Sequence, residues 1–321
     1  MKYNPFSFVL FLLIPSFLSA QKIDNLVSFR DIKSDSYFRF NYDNDYFSGT
    51  DENYTQGYSL ELVIPFLEKN PANYLFLTPK KNSEVKYGLA IEHIGFTAPN
   101  IGSPEIQFGE RPFAAAIMLK SFAIITDTLA NSRLASSLSL GLIGPGAFGK
   151  EMQAGIHKIT ENTIPEGWKN QIKNDVVINY EIAYEKQLLR VGDYVSLQSN
   201  STARLGTLYT NASIGLNTNI GLINSAFSAN KRKSKFQLYG YSQVLGNLIG
   251  YDATLQGGVF NNDSPYTISS EEITRLTGQF NYGFILKTKT LYFEYSRTVL
   301  TREFATGSPT KWGGIKIGFR F

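Results

Sequence analysis

The chain has 321 residues, no cysteine, a net charge of +4 and 43% hydrophobic residues, among them 24 Phe and 19 Tyr. These values exclude disulfide bridges and thiol chemistry, and the small, mixed charge argues against a nucleic-acid partner. Beyond residue 20, no run of 18 apolar residues occurs, which argues against helices that span a membrane, whereas the many aromatic residues suit a soluble core or the girdles of an outer-membrane barrel.

The first 20 residues resemble a secretory signal peptide. Lys2 supplies a positive start, Phe6 to Leu18 form a mainly apolar run, and Ser19 and Ala20 are small enough for a signal peptidase. We therefore predict cleavage near Ala20, export of the chain, and a single domain over 21–321 without linker or internal repeat.

Most of the remaining chain alternates between apolar and polar residues, which indicates strands with two different faces. Between 176 and 185, for example, Ile178 and Ile182 lie on one face, and Asn179 and Glu181 lie on the other. The pattern predicts strands at 36–46, 54–65, 86–97, 113–125, 133–143, 175–188, 194–205, 207–220, 234–246, 272–287, 290–301 and 311–321.

Charged residues on the inner face favour a barrel over a soluble sheet. They would be costly in a soluble sandwich core, but they suit the wet lumen of a membrane barrel. A soluble antiparallel protein with one solvated face is the alternative. We predict an all-β, 12-stranded antiparallel transmembrane β-barrel, in which residues 250–260 continue the ninth strand above the membrane.

The lengths of the connections predict the orientation of the barrel. Connections after the odd-numbered strands, such as 98–112, 144–174 and 247–271, are mostly long, and long loops face the cell exterior in such barrels. The loop after the fifth strand is predicted to contain a short helix at about 150–160.

Two polar clusters fall at this external end. At the end of the first strand, Asp43, Asn44 and Asp45 supply oxygen atoms that suit a hard cation such as calcium, although an ordinary acidic hairpin loop has the same composition. In the loop after the fifth strand, Gln153 and His157 would share one face of the predicted helix.

His157 is a candidate general base, with a solvated surface histidine as the alternative. The other histidine, His93, lies within a strand and is interpreted as structural.

Arg111 lies at the beginning of the fourth strand, at the same end of the barrel, and an ordinary solvated loop arginine is the alternative interpretation. Because all these residues lie at external strand ends or loops, we expect them at one rim. No serine stands in a nucleophile motif, so a serine esterase is left open without a candidate.

Three segments carry a resemblance to a known family. They are Asn44-Asp45 with Tyr54-Thr55-Gln56-Gly57, then Ile143-Gly144-Pro145 leading to Glu151, Gln153, His157, Trp168 and Gln171, and finally Arg302 to Gly307. In these segments the chain resembles the lipid A 3'-O-deacylase family of outer-membrane barrels, over nearly the whole mature chain.

The resemblance implies an outer-membrane enzyme that hydrolyses an acyl ester of lipid A in the outer leaflet. It implies catalytic roles for Asn44, Asp45, Thr55 and His157, and a calcium ion held by Asp45 and Asn44. Histidine would activate water, and calcium would stabilise the oxyanion.

The resemblance also implies supporting roles for Gln153 and Glu151. Arg111 is predicted to bind a lipid A phosphate, although the Lys-Arg pair that some members carry after the third strand is absent here. Strict alternation would point Asn44 away from the lumen unless the strand bulges or has left the membrane there.

The protein is expected to act as a monomer. Two other functions are kept: a phospholipase acting on glycerophospholipids, and a non-enzymatic porin or structural barrel.

Overall fold

The protein folds as a closed barrel of twelve antiparallel strands in a computed structural model, which describes residues 30–48, 53–79, 83–227 and 236–321. The predicted signal peptide at 1–20 lies outside the described residues. The strands are β1 Tyr37–Asn44, β2 Asn53–Val63, β3 Glu84–Thr97, β4 Ala114–Asp127, β5 Ser132–Ile143, β6 Asp175–Val191, β7 Val195–Gly206, β8 Tyr209–Leu222, β9 Gln237–Asp252, β10 Leu276–Lys287, β11 Leu291–Leu300 and β12 Thr310–Arg320.

The barrel closes between β1 and β12. Their register runs from Tyr37 opposite Arg320 to Asn44 opposite Gly313, and every other strand pairs with its neighbours in sequence. Closure satisfies the backbone hydrogen bonds of both edge strands, which lipid could not do. The predicted fold class and strand number are therefore confirmed. Among the described helices, none is long and apolar enough to span a membrane.

Two helices lie in the external loops. Helix α1, Gly149–Ile159, stands where a short helix was predicted after β5. Strand β9 ends at Asp252 and is followed by the short helix α2, Ala253–Gln256. The prediction that 250–260 continues the ninth strand is therefore wrong beyond Asp252, and 250–260 is no additional strand either. Strand β10 begins four residues later than predicted. Ile273 instead leaves the barrel and bridges to Phe304 in the loop before β12.

The two faces of each strand differ as the alternation predicts. In β6, Val176 and Ile178 are exposed on the outer face, whereas Glu181 and Glu185 are buried on the inner face. The outer face is thus apolar and suited to lipid, and the lumen collects the charges.

Ion pairs between inner-face side chains fill the lumen. Arg39 binds Glu61 at 2.7 Å and Lys120 binds Glu92 at 2.8 Å. Arg204 binds Glu181 in the same way between β7 and β6. Because these groups are almost fully buried, each charge needs its partner to offset the loss of hydration.

A segment before β1 closes the lumen at the short-turn end, which faces the periplasm in such barrels. Arg30 donates to Glu294 at 2.7 Å, and the side chain of Ile32 is fully buried. The Asp31 carboxylate binds Lys86 at 2.7 Å and Arg133 at 3.2 Å. Burial opposes ionisation of Asp31, but these two cations hold the pKa of its carboxyl well below the usual value.

Three loops pack together over the external end: 98–113, 253–275 and 301–309. The backbone N–H of Gly109 donates to the Tyr266 hydroxyl at 2.8 Å, and that of Thr274 donates to the carbonyl of Glu303 at 3.0 Å. We call these three loops the external cap. An apolar cluster stabilises it: Ile249, Leu255, Ile268, Ile273 and Phe304.

The ion pair between Arg30 and Glu294 can be used to test how much the buried luminal charges stabilise the barrel. Glu294 is fully buried and also accepts from the hydroxyls of Tyr241 and Tyr292. Glu294→Ala should lower the free energy of unfolding by about 3–5 kcal/mol, because the Arg30 guanidinium would remain buried without its carboxylate. The temperature at which the folded barrel changes its electrophoretic mobility measures this effect.

Glu84→Ala is the matched control. Glu84 pairs with Lys33 at 3.6 Å and both side chains are partly exposed, so its loss should change stability by about 1 kcal/mol or less. Equal unfolding temperatures for Glu294→Ala and the parent would contradict a stabilising role for the luminal pair.

Candidate functional site

Asn44 is the last residue of β1, and its side chain joins β1 to β2. Its Nδ2 donates to the carbonyl of Thr55 at 2.6 Å, and its Oδ1 accepts from the backbone N–H of Tyr46 at 2.7 Å. The strand ends here, and a 3-10 turn begins at Asp45. Asn44 pairs in register with Gln56 and Gly313, so it keeps the outward direction that strict alternation predicts, and there its side chain binds backbone groups at the rim.

Thr55 owes its position to a bulge in β2. The register between β2 and β3 shifts between Tyr54 and Gln56, so Thr55 is the extra residue of the bulge and has no partner residue on β3. In a regular strand Thr55 would share the luminal face with Glu61. The Thr55 hydroxyl forms a hydrogen bond with the hydroxyl of Thr97 on β3. The bulge therefore brings the Thr55 side chain beside Thr97.

The oxygen atoms at this rim fit a hard cation. The Asp45 carboxylate is 1% exposed, and Asn44 and Thr55 add an amide oxygen and a hydroxyl. The described residues contain no group of three or more carboxylates or histidines that could hold a metal. A calcium ion here would also need amide, hydroxyl or carbonyl oxygens, waters or oxygens of a substrate, all of which it accepts.

The chain leaves β5 through a turn that directs α1 back across the rim. Gly144 has φ +107°, and a Cβ there would lie 2.6 Å from the backbone N of Asn174, so only glycine fits. Its N–H donates to the carbonyl of Ala115 at 2.8 Å. The imidazole Nε2 of His93 binds the carbonyl of Ala147 at 2.9 Å. His93 thus fastens the turn before α1, consistent with a structural role.

Gln153 and His157 lie on one buried face of α1, as their spacing predicted. The indole N–H of Trp168 donates to Gln153 Oε1 at 2.7 Å, and the same indole packs edge-on against Phe113. Gln153 therefore anchors α1 to the segment that follows it. Glu151 is exposed on another face, so the structure does not bring it against these two residues.

A backbone carbonyl orients His157. Its Nδ1 lies 2.6 Å from the carbonyl oxygen of Thr163, and the side chain is only 7% exposed. Because a carbonyl can only accept, Nδ1 carries the proton in this pair, and Nε2 of the neutral ring keeps its lone pair. The ring is thereby held in the tautomer that a general base needs.

Packing connects the two halves of the site. Thr97 binds Thr55, and the next residue, Ala98, belongs to the apolar cluster that includes Phe113 and Trp168. Trp168 in turn binds Gln153, one helical turn before His157. Asn44 and Thr55 are thus connected through packed residues to the helix that carries Gln153 and His157.

Arg111 lies inside the external cap. Its guanidinium binds the carboxylate of Glu303, donates to the hydroxyl of Thr254 at 2.7 Å, and lies 4.0 Å from the centre of the Phe96 ring. Burial raises the pKa of Glu303 to about 7, a rise that Arg111 opposes and Asp252 increases. The guanidinium is fully buried and fastens the cap, so a phosphate would have to displace Glu303 to reach it.

No pattern in the sequence marks Thr97, Thr163 or Glu303 as functional residues. Glu303 lies in one of the segments that carried the family resemblance, so that segment was the available signal. Thr163 acts through its backbone carbonyl, which no residue type reveals. In the sequence Thr97 looks like an ordinary strand residue, and only the bulge in β2 brings Thr55 into contact with it.

The chain is similar to known outer-membrane proteins in sequence and in fold. The sequence profile of the family described as "Outer membrane protein LpxR" matches residues 6–321. The solved structure of LpxR from Salmonella typhimurium is 19% identical, with a TM-score of 0.73, over 89% of this chain and 100% of that chain. The β domain of the Bordetella autotransporter BrkA is 8% identical, with a TM-score of 0.47, over 90% and 100% of the two chains. A search of curated proteins found no match.

The Trp168–Gln153 contact predicts how the loop after β5 is stabilised. Trp168→Phe keeps an aromatic ring but leaves Gln153 Oε1 without its donor, which costs about 1–3 kcal/mol for a buried group. We expect faster amide hydrogen exchange across α1, with little change in the strands.

Lys169→Ala is the control, because the Lys169 side chain is exposed in the same turn and forms only a 3.8 Å ion pair with Glu105. If exchange in α1 were equally slow in Trp168→Phe and Lys169→Ala, the indole would not anchor the helix.

Proposed function

The chain belongs to the LpxR family of outer membrane proteins, and on this basis we propose that it is a lipid A deacylase that hydrolyses an ester-linked acyl chain. The observation that carries the proposal is the oriented, buried imidazole of His157 at the rim that also holds Asn44, Asp45 and Thr55. The rim lies at the external end of the barrel, where lipid A is found in the outer leaflet.

The proposed reaction uses His157 as a general base. Nε2 takes a proton from water while the water oxygen attacks the ester carbonyl, and the resulting oxyanion collapses as the bond to the sugar oxygen breaks. The imidazolium then returns its proton to that oxygen. The products are a free fatty acid and a lipid A with one acyl chain fewer. The Thr163 carbonyl stabilises the imidazolium by accepting from Nδ1 throughout.

Asp45 and Asn44 are the residues that would hold calcium in this proposal, with Thr55 beside them. A bound calcium ion supplies positive charge that offsets the negative charge of an oxyanion. The bulge at Thr55 and the two hydrogen bonds of Asn44 hold these oxygens in place without the ion.

Exposed apolar side chains on the neighbouring loops support a lipid as substrate. Phe108 is 79% exposed and Phe148 is 58% exposed, and both belong to loops that contribute residues to the site. Large exposed aromatic groups are costly in water but favourable beside acyl chains. Glycerophospholipids carry acyl esters too, so product analysis on defined lipids separates the two substrate classes.

The closure of the lumen argues against a porin. The segment containing Arg30 and Ile32 crosses the lumen near the periplasmic end, and the external cap covers the other end. Ion flow would have to disrupt the Arg30–Glu294 and Arg111–Glu303 pairs. A planar-bilayer recording without conductance steps is therefore expected.

The role of His157 is tested by His157→Ala. Loss of a general base should slow deacylation by about 10²- to 10⁴-fold, because water is then the only proton acceptor. Mass spectrometry of lipid A treated with the purified protein measures the loss of the acyl chain.

Lys158→Ala should keep the parent rate, because Lys158 is the exposed neighbour of His157 on α1. If His157→Ala deacylates lipid A as fast as Lys158→Ala does, His157 is not the base.

The metal requirement is tested with a chelator and with Asp45→Asn. We expect a calcium chelator to stop deacylation and added calcium to restore it. Asp45→Asn should raise the calcium concentration for half-maximal activity by about tenfold or more, because one ligand charge is lost. Full activity in excess chelator would contradict a calcium-dependent mechanism.

A further inference from the structure

A second cavity lies at the periplasmic end of the lumen, away from the candidate active site. It has a volume of about 370 Å³ and is lined by strand ends, by the turn between β10 and β11, and by the segment before β1. Arg30 lines the luminal cavity above, whereas Asp31 lines this one. The segment before β1 therefore separates the two spaces, and we call the lower one the periplasmic cavity.

The charges that line the periplasmic cavity are unequal. Two carboxylates, Asp31 and Glu185, face six cationic side chains, which are Lys33, Arg133, Arg190, Lys287, Lys289 and Arg320. Both carboxylates already serve as partners of luminal cations. Asp31 binds Lys86 and Arg133, and Glu185 binds Arg133 at 3.1 Å. Two lining cations have partners outside the lining, because Arg190 binds Asp193 at 2.7 Å and Lys33 lies 3.6 Å from Glu84. With these pairs counted, Lys287, Lys289 and Arg320 still leave an excess of positive charge around the cavity.

Several of these cations are held in place rather than freely solvated. Arg133 is 1% exposed, and Lys287 is 7% exposed and donates to the carbonyl of Asp31 at 3.0 Å. Lys287 also interacts electrostatically with Arg133 and Arg320. Among the described residues, the buried Nε of Arg320 has no hydrogen-bond partner. Like charges brought together with reduced hydration favour a counter-anion.

We propose that the periplasmic cavity is a binding site for phosphate-bearing anions. Guanidinium and ammonium groups together form the strong, charge-assisted hydrogen bonds that phosphate oxygens accept. On the same measure a single water needs about 10–15 Å³, so the cavity has room for a phosphate group with part of its hydration shell. The phosphate could come from a soluble anion of the periplasm or from the headgroup of an anionic phospholipid in the inner leaflet.

Calorimetric titration of the purified chain with pyrophosphate tests the proposal. We expect saturable binding to the parent protein and an affinity about tenfold weaker or more in Arg320→Gln, because one charge-assisted contact is lost. Lys289→Gln, in an exposed turn where folding is not at risk, should weaken binding in the same direction. Arg302→Gln is the matched control, since Arg302 is exposed at the opposite end of the barrel.

Native mass spectrometry distinguishes the two sources of phosphate. Retention of phosphatidylglycerol over phosphatidylcholine, lost in Arg320→Gln and kept in Arg302→Gln, would assign the site to a lipid headgroup. Pyrophosphate binding without such retention would assign it to a soluble anion. The proposal is overturned if neither ligand binds, or if Arg320→Gln and Lys289→Gln bind as the parent does. None of these variants should change deacylation of lipid A, so the result is independent of the proposed activity.

Discussion

The pairing of buried charges inside the barrel is the interaction on which the rest of the structure depends. Lipid outside forces the polar residues of every strand inward, where water is scarce and an unpaired charge would be costly. The pairs Arg39–Glu61 and Arg30–Glu294 satisfy this requirement, and they join neighbouring strands or the segment before β1 to the wall. The same network that stabilises the barrel also fills it.

A filled lumen places the chemistry at the rim. The segment before β1 occupies one end and the external cap occupies the other, so a ligand of the site has to arrive from the outside of the cell or from the outer leaflet. Arg111 stabilises the cap at the external end, because its guanidinium binds Glu303 and Thr254 there. The strands provide rigidity, and the loops between them carry the reactive groups.

Backbone groups orient the side chains of the candidate site as much as other side chains do. His157 is oriented by the carbonyl of Thr163, and Asn44 by the carbonyl of Thr55 and the N–H of Tyr46. Such contacts keep polar groups in fixed positions before any substrate binds, which is what an electrostatically organised site requires. The periplasmic cavity follows the same logic, with cations gathered around a space suited to an anion.

The sequence by itself determined the strands, their two faces and the position of α1, because alternation with period two and the spacing of Gln153 and His157 are local properties of the chain. Short segments around Asn44, His157 and Glu303 likewise indicated membership of the family. Only the tertiary structure decided which distant groups meet. The bulge that brings Thr55 beside Thr97 and the pairing of Arg111 with Glu303 depend on the register of strands and loops far apart in sequence. The contact between His157 and the Thr163 carbonyl uses a group that every residue possesses, so no pattern of side chains could have revealed it.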